Sequence, residues 1–264
     1  MKKISDMTKK AWRLLSGDKG TEVRWQGDYN SWEEALAACG NEGYAEDNIL
    51  ERTLQSTLKV KNGEAVFERD SVLFDRIEYS FPLLACLLKI AAAQDNTLSV
   101  VDYGGALGSH YFQNRTFLQP VTIRQWVVVE QEKHVKAGNR FISEGPLRFE
   151  QRLEDISGAN VLLSSCMLPY VERPYEYACK FADSGIEYIL LDRIPISAEN
   201  RDRLTVEIVP PQIYAARYPS WFLCESKLLA VFQEKYELVV DFVSPIDHAN
   251  IPSVYKGFLF MKKK

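Results

Sequence analysis

From Thr97 onward, short apolar runs alternate with longer mixed stretches. "TLSVVDY", "WVVVEQ", "LRFEQRL", "NVLLSSCML" and "IEYILLDRI" each concentrate β-branched and apolar residues over four to eight positions. Runs of that length, separated by helical or loop segments, predict parallel strands covered on both faces. Two further runs close the chain, "YELVVDFVS" and "YKGFLFMKK". The Pro- and Asp-rich loop between them is too short for a crossover helix, so the two are expected to pair antiparallel. Before Thr97 the period is helical. "SWEEALAACG" offers Ser31 as an N-cap, acids in the first turn and Gly40 at the C-terminal end. "DNILERTLQSTLKV" has apolar positions at helical spacing, and "FPLLACLLKIAAA" reads as a buried helix.

These elements predict a helical N-terminal extension or lid over residues 1–94 and an α/β domain over 95–264. In that domain a mainly parallel seven-stranded sheet ends in an antiparallel hairpin, the layout of the Rossmann-like methyltransferase fold. Composition narrows the function little further. The 264 residues are 46% hydrophobic, with a net charge of −4 and a pI near 5.6, so nothing favours nucleic acid as a partner. The start, "MKKISDMTKKAWRLL", lacks the apolar run of a signal peptide. "FPLLACLLKIAAA" is too short to span a bilayer and carries Lys89. A cytoplasmic protein without an integral membrane segment is expected. Five cysteines with no CxxC and three scattered histidines argue against a disulfide framework and against a metal site. No pattern specifies an oligomeric state.

The chemistry is concentrated in "SVVDYGGALGSHYF", where a strand ends in an acid and a glycine cluster follows. Such a turn brings backbone close to a ligand. The dinucleotide fingerprint GxGxxG fails here, since Ala106 and Ser109 occupy glycine positions, and no GK[ST] follows to make a P-loop. The spacing that does fit is acid-x-Gly-x-x-x-Gly, formed by Asp102, Gly104 and Gly108 with Gly105 in addition. It resembles the first motif of class I S-adenosylmethionine-dependent methyltransferases, and departs from it where Ala106 replaces the middle glycine. An acid suits a ligand whose methionyl end carries an ammonium and whose sulfur is cationic. Glu130 ends the second strand, where a carboxylate can accept from both ribose hydroxyls. The resemblance implies a cofactor-binding set of Asp102, Tyr103, Gly104, Gly105, Ala106, Gly108, Glu130, Gln131, Ser165, Cys166 and Met167, with S-adenosylmethionine as the cofactor.

A closer resemblance covers nearly the whole chain. "WQGDYNSWEEAL", "FERDSVLFD", "VVDYGGALGSHYFQ", "WVVVEQ", "LLSSCMLPYVERPYEY", "LLDRIPI" and "IYAARYPSWFLCESKLL" resemble a family of methyltransferases associated with bacterial surface-polysaccharide gene clusters, such as those for O-antigen (lipopolysaccharide) and capsule. The resemblance implies methyl transfer, expected to be to a sugar oxygen, with a glycan or nucleotide sugar as the acceptor. Candidate catalytic residues are His110, just past the glycine turn, and Asp192 and Arg193 at the end of the fifth strand. His110 or Asp192 can serve as a base, and Arg193 can clamp an acceptor. Candidate acceptor contacts are Arg69, Asp70, Tyr170, Tyr214 and Trp221. Each residue also has a bland reading: His110 as a helix cap, Asp192 and Arg193 as a salt bridge, the aromatics as core, and Arg69 and Asp70 as a solvated connection. The competing functions are an NAD-dependent sugar oxidoreductase or epimerase and a non-catalytic module that keeps the fold.

Overall fold

The computed structural model describes residues 23–40, 46–210, 216–244 and 246–264. The described chain divides into two compact units. One comprises the residues up to Glu78 together with Leu204–Ser220, and the other comprises Tyr79–Arg203 and Trp221–Lys264.

The second unit is built on a seven-stranded sheet. Its strands are β4 (Thr97–Tyr103), β5 (Thr122–Val129), β6 (Leu147–Glu150), β7 (Val161–Ser165), β8 (Tyr188–Ser197), β11 (Tyr236–Val243) and β12 (Ser253–Lys262). They lie in the order β11-β12-β8-β7-β4-β5-β6. Pairing is parallel from β6 through β8, and β12 pairs antiparallel to both β8 and β11. This is the Rossmann-like methyltransferase fold, with all seven strands and the closing hairpin where the hydrophobic pattern places them. The central strands are continuous apolar runs because both faces are covered. In β4, Thr97 through Asp102 are all buried. Helix α3 (Phe81–Ala93) buries Leu83, Leu84, Leu87, Ile90 and Ala91, which recur at helical spacing on one stripe. Each buried Leu or Ile contributes about 1.5–3 kcal/mol. The chain runs from β4 to β5 on one side and later returns to place β7 on the other side of β4. That reversal is the switch point, and ligands in such sheets bind beyond the C-terminal strand ends there.

The first unit adds strands to the expected helical extension. It does contain α1 (Trp32–Cys39) and α2 (Glu46–Lys61). Ser31 caps α1 as the sequence suggests, its Oγ accepting from the Glu34 N–H at 3.2 Å. It also contains β1 (Arg24–Tyr29) and a hairpin of β2 (Phe67–Arg69) and β3 (Val72–Phe74). A three-stranded sheet has the order β1-β9-β10, with β9 at Arg203–Val209 and β10 at Ala216–Phe222. Buried Glu207 on β9 accepts from Trp25 Nε1 at 3.0 Å and from the Tyr218 hydroxyl at 3.2 Å, so "WQGDY" and "ARYPSWF" are matched halves of one sheet. The expected boundary at residue 94 therefore moves. Helix α3 packs on β4 and β8 and belongs to the sheet unit, while Leu204–Ser220 goes with the N-terminal residues.

Candidate active site

The turn after β4 is shaped by a buried carboxylate. Asp102 is fully buried, and its Oδ2 accepts from Trp126 Nε1 at 3.1 Å. A Cβ on Gly105 would lie 2.5 Å from the Asp102 carboxyl carbon and 2.6 and 2.7 Å from its oxygens. Residue 105 must therefore be glycine for the acid to sit under its own turn. Gly104 adopts φ +75° with Met167 packed where its Cβ would be, and Gly108 enters α4 (Ser109–Asn114) at φ +88°. Ala106 takes φ +49°, the left-handed conformation that glycine adopts freely and alanine adopts at a cost of about 1–2 kcal/mol. The departure from the glycine motif thus preserves the shape of the turn.

Glu130 lies at the tip of β5 and reaches back to the same turn. Its Oε1 accepts from the Ala106 N–H at 3.2 Å and its Oε2 from the Gln131 N–H at 2.9 Å. Each oxygen keeps acceptor capacity for a further donor. Burial pushes the Glu130 carboxyl up, opposed by His134 of α5 (Glu132–Ala137) and by the two N–H groups. His134 and Trp126 are parts of this site that periodicity alone does not mark. The turn Leu153–Asp155 follows β6, the next strand of the sheet, and Asp155 is exposed there.

His110 is the second residue of α4. Its Nδ1 is buried and faces Asp102 Oδ2 at 3.5 Å, an ion-pair distance too long for a well-formed hydrogen bond. Burial pulls its pKa down, but Asp102 and more weakly Asp192 outweigh this and leave the imidazole above its ordinary range. His110 is 17% exposed, whereas Asp192 is 1% exposed.

Across the switch point, β8 carries a bulge. Leu191 opposes Phe258 and Ile194 opposes Lys256, so Asp192 and Arg193 together face Gly257, with Arg193 at φ +56°. The extra residue re-aims both side chains. Asp192 Oδ2 accepts from Ser165 Oγ at 3.0 Å. Burial raises the Asp192 carboxyl, with Arg193 and His110 opposing. The Cys86 thiol of α3 is pushed up to about 11, first by burial and then by Asp192, so the thiol stays neutral. Arg193 does not present a free fork. Its Nε and Nη2 donate to Asp247 Oδ2 and Oδ1 at 2.7 and 2.9 Å, and Ser244 Oγ donates to the same carboxylate at 3.3 Å. Arg193 is thus in a salt bridge whose partner is Asp247 of the β11–β12 loop.

The remaining candidates are distributed as follows. The Tyr103 ring packs against Tyr177 and Phe181 of α6 (Pro174–Asp183) at 6.0 and 5.0 Å, on the sheet face with the main apolar cluster. Cys166 holds φ +58° and its N–H donates to the Asp192 carbonyl at 3.0 Å. Tyr170 lies in the turn after β7, and Trp221 packs partly buried against the core cluster. In the first unit, Arg69 pairs with Glu78 at 3.1 Å and lies over the Phe74 ring. Asp70 forms the hairpin turn with Ser71, both at positive φ, and lines a cavity of about 320 Å³ with Glu51, Arg52, Gln55 and Ser56. Tyr214 lies outside the described residues. Among the described residues there is no metal-ligand cluster and no helix long and apolar enough to cross a membrane.

No protein-family model and no curated protein matches the chain. Three solved structures illustrate the structural similarities found. The first is a 1,6-didemethyltoxoflavin-N1-methyltransferase from Burkholderia thailandensis with bound S-adenosylhomocysteine. It has 13% identity and a TM-score of 0.46, over 90% of this chain and 93% of that one. The second is the N-methyltransferase NodS from Bradyrhizobium japonicum WM9 in complex with S-adenosylhomocysteine, at 11% identity and a TM-score of 0.47, over 81% and 97%. The third is the N-terminal domain of EvdMO1 in the presence of S-adenosylhomocysteine and D-fucose, at 15% identity and a TM-score of 0.47, over 85% and 100%.

Proposed function

We propose that this protein is an S-adenosylmethionine-dependent methyltransferase that methylates a sugar hydroxyl, in a glycan or a nucleotide-linked precursor, during assembly of a bacterial surface polysaccharide. The observation that carries the cofactor reading is the Asp102–Gly105 fit. A buried carboxylate keeps Oδ1 without a hydrogen-bond donor, beside a turn whose glycine contact admits no other residue. A buried, half-satisfied carboxylate is costly unless a cationic donor completes it, and the ammonium of a methionyl group is such a donor. Glu130 has the remaining acceptor capacity for a ribose diol, and Cys166 and Met167 line the neighbouring strand end.

The bound cofactor supplies an electrophilic methyl group on a sulfonium. The chain's own work is to hold the acceptor in line, exclude water and accept a proton. His110 is the better placed of the two candidate bases, because Asp102 occupies its Nδ1 side and the ring's other nitrogen is left to the acceptor. Asp192, almost fully buried, acts behind it by favouring the imidazolium. Arg193, held by Asp247, walls the acceptor side. Tyr170 and Trp221 are the aromatic contacts that the sheet unit offers to a sugar. Arg69 and Asp70 are engaged within their own unit and join the acceptor site only through the resemblance of "FERDSVLFD".

The test is ligand-dependent stability followed by turnover. At a hundred times its Kd, S-adenosylhomocysteine should stabilise the protein by about 2.7 kcal/mol, and NAD should not. Methyl transfer is then screened over the sugars of the host's surface polymer. No thermal shift at saturating S-adenosylhomocysteine overturns the cofactor reading. A shift without turnover on any glycan removes the sugar acceptor.

A further inference from the structure

His110 is a partly exposed member of a group of buried and half-buried charges. Asp102 of β4 faces it at 3.5 Å. Asp192 and Arg193 of β8 act on it from across the switch point, with opposite signs. Behind these stand Trp126, donating to Asp102, and Asp247, holding Arg193. The Cys86 thiol of α3 beside Asp192 is neutral. Glu130 at the β5 tip feels His134 of α5 and, more weakly, Asp102. Two oxygens in the group, Asp102 Oδ1 and Asp192 Oδ1, are buried without a donor. The arrangement therefore places two donor-less carboxylate oxygens near a histidine whose Nδ1 faces Asp102 and whose charge can compensate them.

We propose that His110 is the proton switch of this site: it balances Asp102 and Asp192 as an imidazolium in the free protein, and it gives its proton to solvent when a sulfonium-bearing ligand enters beside Asp102. The proposal rests on the cofactor reading above. The physical reason is competition. A second positive charge entering the same buried site repels the imidazolium and competes for the carboxylate it faces, so the arriving charge makes the protonated ring less favourable. The proton that leaves is the one that would otherwise block the base, so the ring becomes an acceptor only once the methyl donor is present. In the free protein the sign is the ordinary one for a histidine with a raised pKa. Its stabilising effect is complete below the unfolded-state pKa and is lost as pH rises through the folded value. By linkage, the affinity for a cationic ligand must rise over that same window.

The experiment is calorimetry of the full chain with S-adenosylmethionine and with S-adenosylhomocysteine, in buffers of different ionisation enthalpy between pH 6 and 8. The two ligands share an amino acid end and differ in the charge on sulfur, so their difference isolates the sulfonium. S-Adenosylmethionine should release the larger fraction of a proton. Its affinity should rise with pH more steeply than that of S-adenosylhomocysteine, by about tenfold for each unit by which the His110 pKa falls. The difference should vanish in His110→Gln and persist in His134→Gln. As a direct readout in a protein with native His110, the ring C2–H resonance is titrated by NMR, assigned with His134→Gln and His248→Gln. It should show a lower pKa in the S-adenosylmethionine complex than in the S-adenosylhomocysteine complex. Equal proton release by the two ligands, or a difference that survives His110→Gln, overturns the switch while leaving the cofactor assignment intact. Failure of both ligands to bind overturns the cofactor reading and the switch together.

Discussion

The strand ends of β4 and β5 and those of β7 and β8 flank one switch point, and both present buried or half-buried carboxylates. They use them differently. On the β4–β5 side, Asp102 and Glu130 are braced by Trp126 Nε1 and by backbone N–H groups, and both retain oxygen lone pairs. On the β7–β8 side, the Arg193 fork is filled by Asp247, and Asp192 takes a hydroxyl from Ser165. The first side is braced yet unsatisfied, and in the proposed function it is the side that binds the cofactor. The second also keeps one buried oxygen without a donor, Asp192 Oδ1, but its cation is engaged by Asp247, so its charged groups serve first as a wall. Substitutions should divide along that line, with ligand affinity falling on one side and stability on the other.

The largest effect is expected at Gly105. A methyl group there meets the Asp102 carboxylate at 2.5–2.7 Å, and the Trp126 bond leaves that carboxylate little room to retreat. Gly105→Ala should cost about 1–3 kcal/mol of stability as overpacking. It should also lower affinity for S-adenosylhomocysteine by about a hundredfold or more, equivalent to about 2.7 kcal/mol. Thermal melts with and without ligand separate the two losses. Retained affinity would show that Asp102 does not bind through this turn.

Next comes Glu130→Ala, which removes a charged acceptor from the binding side. The expected loss of cofactor affinity is about 1.5–3 kcal/mol, with Glu130→Gln losing less because one acceptor oxygen remains. The carboxyl is pushed up by its own burial, so its removal should leave the melting temperature of the ligand-free protein nearly unchanged. A large loss of stability in the alanine variant would move Glu130 to the structural side of the comparison.

The two sides also differed in how much of them could be read from sequence. Asp102, the glycines and Glu130 follow apolar runs directly, and a buried parallel strand announces its own end. Arg193 was legible for the same reason. Its partner Asp247 was not, since it lies 54 positions away in a loop and a side-chain pairing has no periodicity. The smaller sheet was hidden by its composition. In β1, "RWQGDY", Trp25 is the one buried side chain and Gly27 interrupts the run. In β10, Pro219 removes a ladder donor and argues against a strand. The β2–β3 hairpin turns on Asp70 and Ser71, both at positive φ, without the Asn-Gly or Asp-Gly pair that signals such a turn. The boundary at residue 94 was displaced because α3 is continuous in pattern with the helices before it, while its apolar stripe is spent on β4 and β8.

Asp247→Ala tests the wall. It removes the two short bonds to Arg193, whose side chain is 14% exposed, so water can compensate in part. About 1–2 kcal/mol of stability should be lost, with S-adenosylhomocysteine affinity unchanged. Chemical denaturation and a ligand titration on the same variant check both halves. A cofactor affinity that falls with stability would mean that the β7–β8 side also binds the cofactor.

The smallest expected effect, Ala106→Gly, sharpens the comparison most finely because it restores the glycine of the resembled motif. Ala106 sits at φ +49° with its N–H held by Glu130. Relief of left-handed strain favours the variant by about 1–2 kcal/mol. The extra freedom of glycine in the unfolded chain opposes it by about 0.5–1 kcal/mol. The strain relief is the larger of the two, so the variant should be more stable by about 0.5 kcal/mol, a small rise in melting temperature. Cofactor affinity should stay within about twofold, a free-energy difference of about 0.4 kcal/mol, because the N–H that meets Glu130 is still present and the turn already has the shape that glycine would give it. A gain in affinity of tenfold or more would instead mean that the alanine methyl obstructs the ligand, and that this turn is held away from its binding shape.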